Sequence, residues 1–387
     1  MAAPGDTTAA VIGAGFAGAA HVEALRRIPR VHVVAIAASS VEGAAAAAAR
    51  LGIERSSGDY RELLDDPAID VIHTCVPNDL HVDVNLAALD AGKHVLSEKP
   101  LGRDADESGR LVAAAASAPG VTGVCFNYRH YPIVAEVRER LSHGPAPHLV
   151  QGTYLQDWLL ADTDWNWRIE PERAGVARAL GDIGSHWIDL IQHVTGRRVV
   201  RVCGRTGRLH ETRRRPAART LTFESGAGSA EPVQVRTEDH ATVLLELDGG
   251  CHGVLTVSQV SPGMRNRLSF HVDTADAAYL WNQERPNRLW IGRRDRPSEE
   301  VVRDPLLLSA PAARLTHYPA GHQEGWPDAL RNLIEDFYSS IRDPARGGTV
   351  ATFADAHAVT VAIEAIVRSA EEGRWVDVPA VGEEAAS

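Results

Sequence analysis

The chain has little cysteine, methionine or aromatic content and no long apolar run. Its four cysteines, Cys75, Cys125, Cys203 and Cys251, lie far apart, with no CxxC pair and no histidine at metal-ligand spacing. That excludes a disulfide framework and a zinc-ribbon type of site, leaves buried free thiols as the expectation, and gives no reason to expect a metal. No stretch of about 18 apolar residues exists, which excludes a membrane-spanning helix. The opening MAAPGDTTAA has no basic residue ahead of an apolar core, so it does not read as a secretory signal, and a cytoplasmic protein is expected. Positive charge is also short. Forty Lys and Arg against 51 Asp and Glu give a formal net charge of −11, which argues against a nucleic-acid partner. The one basic run, Arg213 to Arg215, sits in a Pro/Gly/Ser-rich stretch and reads as a solvated loop.

What remains is globular composition, 44% hydrophobic and 24% charged over 387 residues. Single domains cluster near roughly 100 to 150 residues, so two are expected. Short apolar runs alternate with longer amphipathic ones through the first third, as parallel strands and crossover helices do. Strands are predicted at Ala9 to Ile12, Val31 to Ala37, Val71 to Val76, His94 to Ser97 and Val121 to Asn127. Helices are predicted at Ala17 to Arg27, Glu42 to Arg50, Leu80 to Ala91 and Glu107 to Ala116. Strict succession gives a doubly wound parallel sheet, the Rossmann arrangement. Beyond about residue 130 the strands lengthen and alternate in polarity, as at His148 to Asp157, Ala241 to Leu247 and His252 to Gln259. An open, largely antiparallel sheet in a second α/β domain follows. The expected division is therefore 1–130 and 131–387, with residues 205–235 as an excursion between strands and helices at Asp328 to Ile341 and Phe353 to Ala370.

Val11-Ile12-Gly13-Ala14-Gly15-Phe16-Ala17-Gly18 places GxGxxG between a predicted strand and a predicted helix. Gly13 makes the tight turn, Gly15 lets backbone approach a pyrophosphate, and Gly18 allows close packing. The helix start at Phe16 and Ala17 supplies N–H donors. Residues 1–130 are thus expected to bind a dinucleotide. The second strand ends in Ala37-Ala38-Ser39-Ser40, with no carboxylate to hold a ribose diol and no basic residue to meet a 2′-phosphate, so NAD and NADP both stay open.

Glu98-Lys99-Pro100 follows a buried strand, whose C-terminal end faces the ligand in a parallel sheet. Gly181-Asp182-Ile183-Gly184-Ser185-His186-Trp187-Ile188-Asp189 opens an apolar helix and sets Asp182, His186 and Asp189 on one face. Oxidising a carbinol needs a base for the hydroxyl proton, and a lysine with a histidine and an orienting aspartate meets that need. The alternative is an Asp helix cap and a core histidine.

Together, Gly13-x-Gly15-x-x-Gly18, Pro77-Asn78-x-x-His81, Glu98-Lys99-Pro100, Asn127-Tyr128-Arg129 and Asp182-x-x-x-His186 resemble, in order and spacing, the glucose-fructose oxidoreductase, inositol dehydrogenase and rhizopine-catabolism family, Gfo/Idh/MocA. The resemblance covers nearly the whole chain. It implies that Lys99 and His186 are catalytic with Asp182 assisting, and that Ser39, Ser40, Pro77, Asn78, His81, Glu98 and Lys99 join the glycine loop at the dinucleotide. It also implies that residues 131–387 bind substrate and form a homodimer or homotetramer. A finer likeness, in Gly152 to Trp158, Trp167-Arg168 and Ala179 to Asp182, is to the sugar-oxidising branch that includes levoglucosan dehydrogenase and glycoside 3-dehydrogenases. Val176 departs from it, since the family usually has a small residue there.

The segment Tyr154 to Arg168 is dense in indoles and polar groups for a protein with 5% aromatics. Flat rings and multidentate side chains suit a sugar ring, and an ordinary aromatic core is the alternative. Candidate substrate residues are Lys99, Arg129, Tyr154, Gln156, Trp167, Arg168, Asp182, His186 and His322. The reading is an NAD(P)-dependent dehydrogenase for a secondary alcohol of a sugar, glycoside or cyclitol. The competing readings are a non-catalytic dinucleotide-binding regulator and a glycosidase or epimerase that oxidises transiently.

Overall fold

The computed structural model describes residues 5–217, 230–346 and 348–380. In chain order the first elements are β1 (Thr7–Ile12), α1 (Phe16–Arg26), β2 (Val31–Ala37), α2 (Val41–Leu51), β3 (Arg55–Ser57), α3 (Arg61–Leu64), β4 (Val71–Thr74), α4 (His81–Asp90), β5 (His94–Ser97), α5 (Ala105–Ser117) and β6 (Thr122–Val124). All six strands run parallel in the order β3-β2-β1-β4-β5-β6. Both faces of this sheet are covered, so β4 and most of β1 and β5 are buried along their length. Because every strand points the same way, the turns after β1, β2, β4 and β5 all emerge at one edge. That edge therefore gathers residues 13–18, 39–40, 77–81 and 98–100.

Next come α6 (Pro132–His143), β7 (Leu149–Leu155), α7 (Pro171–Ala174), α8 (Ser185–Thr195), β8 (Val199–Gly207), β9 (Thr212–Pro216), β10 (Ala230–Gln234), β11 (His240–Leu247), β12 (Cys251–Ser258), β13 (Arg267–Asp273), β14 (Ala278–Asn282), β15 (Arg288–Gly292), β16 (Glu299–Val302) and α9 (Ala310–Ala313). The chain closes with α10 (Trp326–Arg342), α11 (Phe353–Glu372) and β17 (Val376–Asp377). Nine strands form a mixed sheet, β16-β15-β14-β13-β7-β12-β11-β8-β17, antiparallel except for the β7–β12 pair. Helix α8 lies on this sheet. Its Trp187 indole donates to the Ser269 carbonyl at 3.0 Å, in space that only a glycine at 152 leaves open, since a Cβ there would sit 2.3 Å from the indole nitrogen.

The chain divides into two compact units, Met1–Asn127 with Pro327–His357, and Tyr128–Trp326 with Ala358–Ser387. Residues 327–357, assigned to the second region by sequence, thus pack in the first unit. There Asp328 pairs with Arg27 at 2.6 Å and the Ala351 carbonyl accepts the β6 N–H of Val124 at 2.8 Å. Part of the excursion expected over 205–235 is the β9–β10 ribbon, and residues 218–229 lie outside the described residues. Arg213, expected in a solvated loop, is fully buried on β9. It donates to the carbonyls of Leu159 (2.7 Å) and Ala161 (2.8 Å) and to Asp239 (2.8 Å). All four cysteines are free. Among the described residues no helix is long and apolar enough to cross a membrane.

Candidate active site

In the first unit the site is built mainly from backbone. Gly13 has φ +119°, and a Cβ on it would lie 2.1 Å from the Cys75 carbonyl, so a side chain is excluded both by conformation and by space. A Cβ at Gly18 would meet the Gly13 carbonyl at 1.9 Å, whereas one at Gly15 would meet nothing within 4 Å. The first two positions shape the turn, and the third leaves it open. Gly15 is the N-cap of α1, with no side-chain cap and no acidic residue in the first turn, so the positive end of the helix dipole suits an anion. Phe16 is exposed and Ala17 half-buried at that end. These residues fit a dinucleotide pyrophosphate.

Ser39 is exposed after β2, and the Ser40 hydroxyl accepts the Gly43 N–H at 3.0 Å, which caps α2. Pro77 and Asn78 open a short 3₁₀ turn after β4. Glu98 and Lys99 follow β5, and the Lys99–Pro100 peptide is cis. His81 departs from expectation. It is 1% exposed, and its ring nitrogens lie 2.6 Å from the Pro100 carbonyl and 2.9 Å from the Val76 carbonyl, so it braces two loops from within instead of facing a ligand. Burial depresses its pKa, against the pull of those two carbonyls.

In the second unit the site is built from side chains. Leu180–Gly184 forms a π-helical turn that runs into α8, and it carries Asp182 ahead of His186. Such wide turns often mark functional positions. The Glu238 carboxylate shapes this turn by accepting the N–H groups of Arg178 (3.0 Å) and Leu180 (2.8 Å). The Asp182 carboxylate is held from two sides, by Arg168 Nε at 3.1 Å and by Gln259 Nε2 at 2.8 Å. Arg168 also stacks over the Trp167 ring, its guanidinium carbon 4.4 Å from the centroid. Arg168 is thus an anchor for Asp182.

The His186 ring meets the Tyr128 ring edge-on, centroids 4.9 Å apart, with Tyr154 tilted beyond at 6.3 Å. Tyr154 donates to Asn266 Oδ1 (2.7 Å) and therefore accepts from Tyr128 (2.7 Å), whose oxygen accepts from Asn266 Nδ2 (3.3 Å). The ring of bonds closes on itself. Gln156 donates to the same Asn266 oxygen at 3.0 Å and accepts the Trp158 indole at 2.9 Å. Burial pushes the Tyr128 phenol up to about 12 and raises that of Tyr154 as well. Both stay protonated at neutral pH and can hold a neighbour in place, but neither can serve as a base.

Two expected substrate residues are placed otherwise. Arg129 is 7% exposed, and its Nε meets both Asp189 oxygens, at 2.8 and 3.1 Å, in a buried ion pair that ties the 3₁₀ turn at Asn127–His130 to α8. A guanidinium so engaged secures α8 rather than a ligand. His322 lies on an exposed loop, and its backbone carbonyl accepts from Arg303. Conversely, sequence reasoning missed Tyr128, Asn266, Gln259 and Glu238 as site-building residues. Only Tyr128 had a signal, its place between Asn127 and Arg129.

Two family descriptions match the chain: "Oxidoreductase family, NAD-binding Rossmann fold" over residues 7–126, and "GFO/IDH/MocA C-terminal domain" over residues 135–278. The levoglucosan dehydrogenase of Pseudarthrobacter phenanthrenivorans is 33% identical over 396 aligned residues, covering 96% of this chain and 98% of its own. A solved structure of levoglucosan dehydrogenase in complex with NADH and L-sorbose superposes with a TM-score of 0.86 at 30% identity, covering 97% of this chain and 99% of that one. An inositol dehydrogenase homologue from Azotobacter vinelandii, complexed with NAD+, gives 0.83 at 25% identity, with 96% and 97% covered.

Proposed function

This chain belongs to the Gfo/Idh/MocA family of oxidoreductases, and from that premise we propose how it acts on a sugar or cyclitol. It is a nicotinamide-dependent dehydrogenase of a CH–OH group. The glycine loop 13–18 and the N-terminus of α1 hold the pyrophosphate, with Ser39, Ser40, Pro77 and Asn78 along the same sheet edge as further contacts. The bound dinucleotide supplies one thing, a place for the hydride that leaves the carbinol carbon. Everything else falls to the protein.

Oxidation of a secondary alcohol also releases the hydroxyl proton. His186 accepts it, and Lys99 shares in moving the proton. Asp182 orients the imidazole and binds a neighbouring hydroxyl; Arg168 and Gln259 keep its carboxylate in one position. Tyr128 packs its edge against the His186 ring and fixes the ring plane. The observation that carries this reading is the doubly held Asp182 carboxylate on a π-turn four residues before His186. A helix cap has no need of two side-chain donors drawn from sequence-remote positions. Gln156 and Trp167 are the remaining candidates for contacting the sugar ring. We further propose that residues 128–326 with 358–387 form the substrate-binding unit, that the substrate is a pyranose-like sugar resembling levoglucosan, and that the protein assembles as a homodimer or homotetramer.

The test is net reduction of dinucleotide, followed at the absorbance of the reduced nicotinamide, over a panel of anhydrosugars, free sugars, glycosides and cyclitols with NAD and NADP in parallel. Stoichiometric reduction with at least one member is expected. Tight dinucleotide binding without turnover would favour a regulator. Product formation without net reduction would favour an enzyme that oxidises transiently.

A further inference from the structure

Beneath Lys99, inside the first unit, four polar side chains form a row through an otherwise apolar interior. Glu98 Oε1 lies 3.2 Å from His21 Nε2, His21 Nδ1 lies 2.8 Å from His73 Nδ1, and His73 Nε2 lies 3.0 Å from the Tyr338 hydroxyl. His21, His73 and Tyr338 are each 0% exposed and come from α1, β4 and α10. The two imidazoles meet edge to face, centroids 5.1 Å apart, and His73 stacks on Tyr338 at 5.9 Å. At the other end, the second Glu98 oxygen accepts the backbone N–H of Lys99 at 3.2 Å. The row thus starts at a buried phenol on α10 and ends on the peptide that carries Lys99.

We propose that Tyr338, His73 and His21 are positioning residues, a one-way hydrogen-bond relay that ends on Glu98 and through it holds the Lys99 peptide in place for the reaction. The direction follows from donor counting. A carboxylate can only accept, so His21 Nε2 donates to Glu98; an imidazole with one N–H then accepts at Nδ1, so His73 donates from Nδ1. His73 Nε2 is left as an acceptor, and Tyr338 must donate to it. Burial depresses the His73 pKa, and the neighbouring His21 adds to this, so that ring stays neutral. Burial, with the charge of Asp70, pushes the Tyr338 phenol well up, so it keeps the proton it donates. Each bond polarises the next. Removing the phenol hydroxyl leaves the buried His73 Nε2 without the donor it accepts from, and the bonds through His21 to Glu98 lose that polarisation.

The kinetic consequence rests on the oxidoreductase reading of Lys99, whereas the protonation pattern does not, and the experiment keeps them apart. In full-length protein labelled with ¹⁵N-histidine, long-range proton–nitrogen correlation spectra report which ring nitrogens carry hydrogen. His21 with hydrogen at Nε2 and not Nδ1, and His73 with hydrogen at Nδ1 and not Nε2, is the expected result. The opposite pattern, or a doubly protonated His21, would overturn the relay. So would one equivalent of bound metal in elemental analysis, because His21, Glu98 and Cys125 offer ligand atoms within 4.8 Å of one another and a cation there would take the ring nitrogen. In Tyr338→Phe, which keeps the ring, His73 should keep its hydrogen on Nδ1 while its Nε2 resonance shifts with the loss of the phenol donor, and kcat should fall about 5-fold with KM for the dinucleotide unchanged. An unaltered His73 spectrum in that variant would refute the relay, as would an unaltered kcat with a substrate that wild type oxidises. If no sugar or cyclitol is oxidised by wild type, the oxidoreductase reading fails while the spectra still decide the relay.

Discussion

The two units present chemistry by opposite means. In the first, the glycine turn, the α1 N-terminus and the strand ends are backbone features, and each is encoded by a few adjacent residues. In the second, Asp182 depends on Arg168 and Gln259, and the Tyr128–Tyr154–Asn266 ring draws on positions 26 and 112 residues apart. A backbone site tolerates change everywhere except at its glycines and strand ends. A side-chain site adds to its reacting group many supporting residues, each with a smaller effect.

The largest expected effect is at the reacting group of the side-chain site. His186→Ala should lower kcat by roughly 10²- to 10⁴-fold with the thermal midpoint nearly unchanged, because a positioned acid–base group is lost while a small cavity is gained. Stopped-flow measurement of the hydride-transfer rate reads this directly, and a wild-type rate would return His186 to the status of a core histidine. Gly15→Asp comes next. The space around a Cβ there is open, so folding should survive, but the carboxylate faces the pyrophosphate, and dinucleotide affinity by calorimetry should fall about 100-fold. Gly13→Ala makes the contrast sharp, since it meets the Cys75 carbonyl and should cost stability as well as binding. Equal melting temperatures for the two variants would contradict that distinction.

A supporting residue should matter less. Gln259→Leu removes one donor from the Asp182 carboxylate, and kcat/KM should drop about 10-fold, mostly through KM, as a substrate hydroxyl meets a less firmly held carboxylate. The smallest effect belongs to Tyr128→Phe. With the phenol pushed up to about 12, its proton stays on throughout the working range. The variant should lose a few-fold in kcat while the shape of the pH–rate profile from about pH 6 to about pH 10 is kept. A limb that disappears with the phenol would make Tyr128 a titrating participant.

The same contrast explains what could be read from the sequence. The parallel sheet, with β2 and β5 at their observed limits, was accessible because buried parallel strands are continuous apolar runs and GxGxxG is local. Strands β13 to β16 and the ribbon of β9 and β10 were not, since edge and half-exposed strands have weak alternation and Arg213 on β9 looks like a loop residue until its carbonyl partners are known. Arg129 and His81 carried charge and motif position that suggested ligands. Burial against Asp189 and between two carbonyls turned each into a brace. Asn266 and Gln259 lie in no motif, because their roles exist only through partners more than 70 residues away.

The central claim is that these two differently built sets of residues serve one chemical step, and a double-mutant cycle on Lys99→Ala and His186→Ala in single-turnover kinetics tests it most directly. Lys99→Ala alone should cost about 10²-fold. Residues acting as one unit cannot each be lost at full cost, so the double variant should be within about 3-fold of the slower single variant. Rate losses that multiply in full would contradict the account and assign the lysine and the histidine to separate tasks.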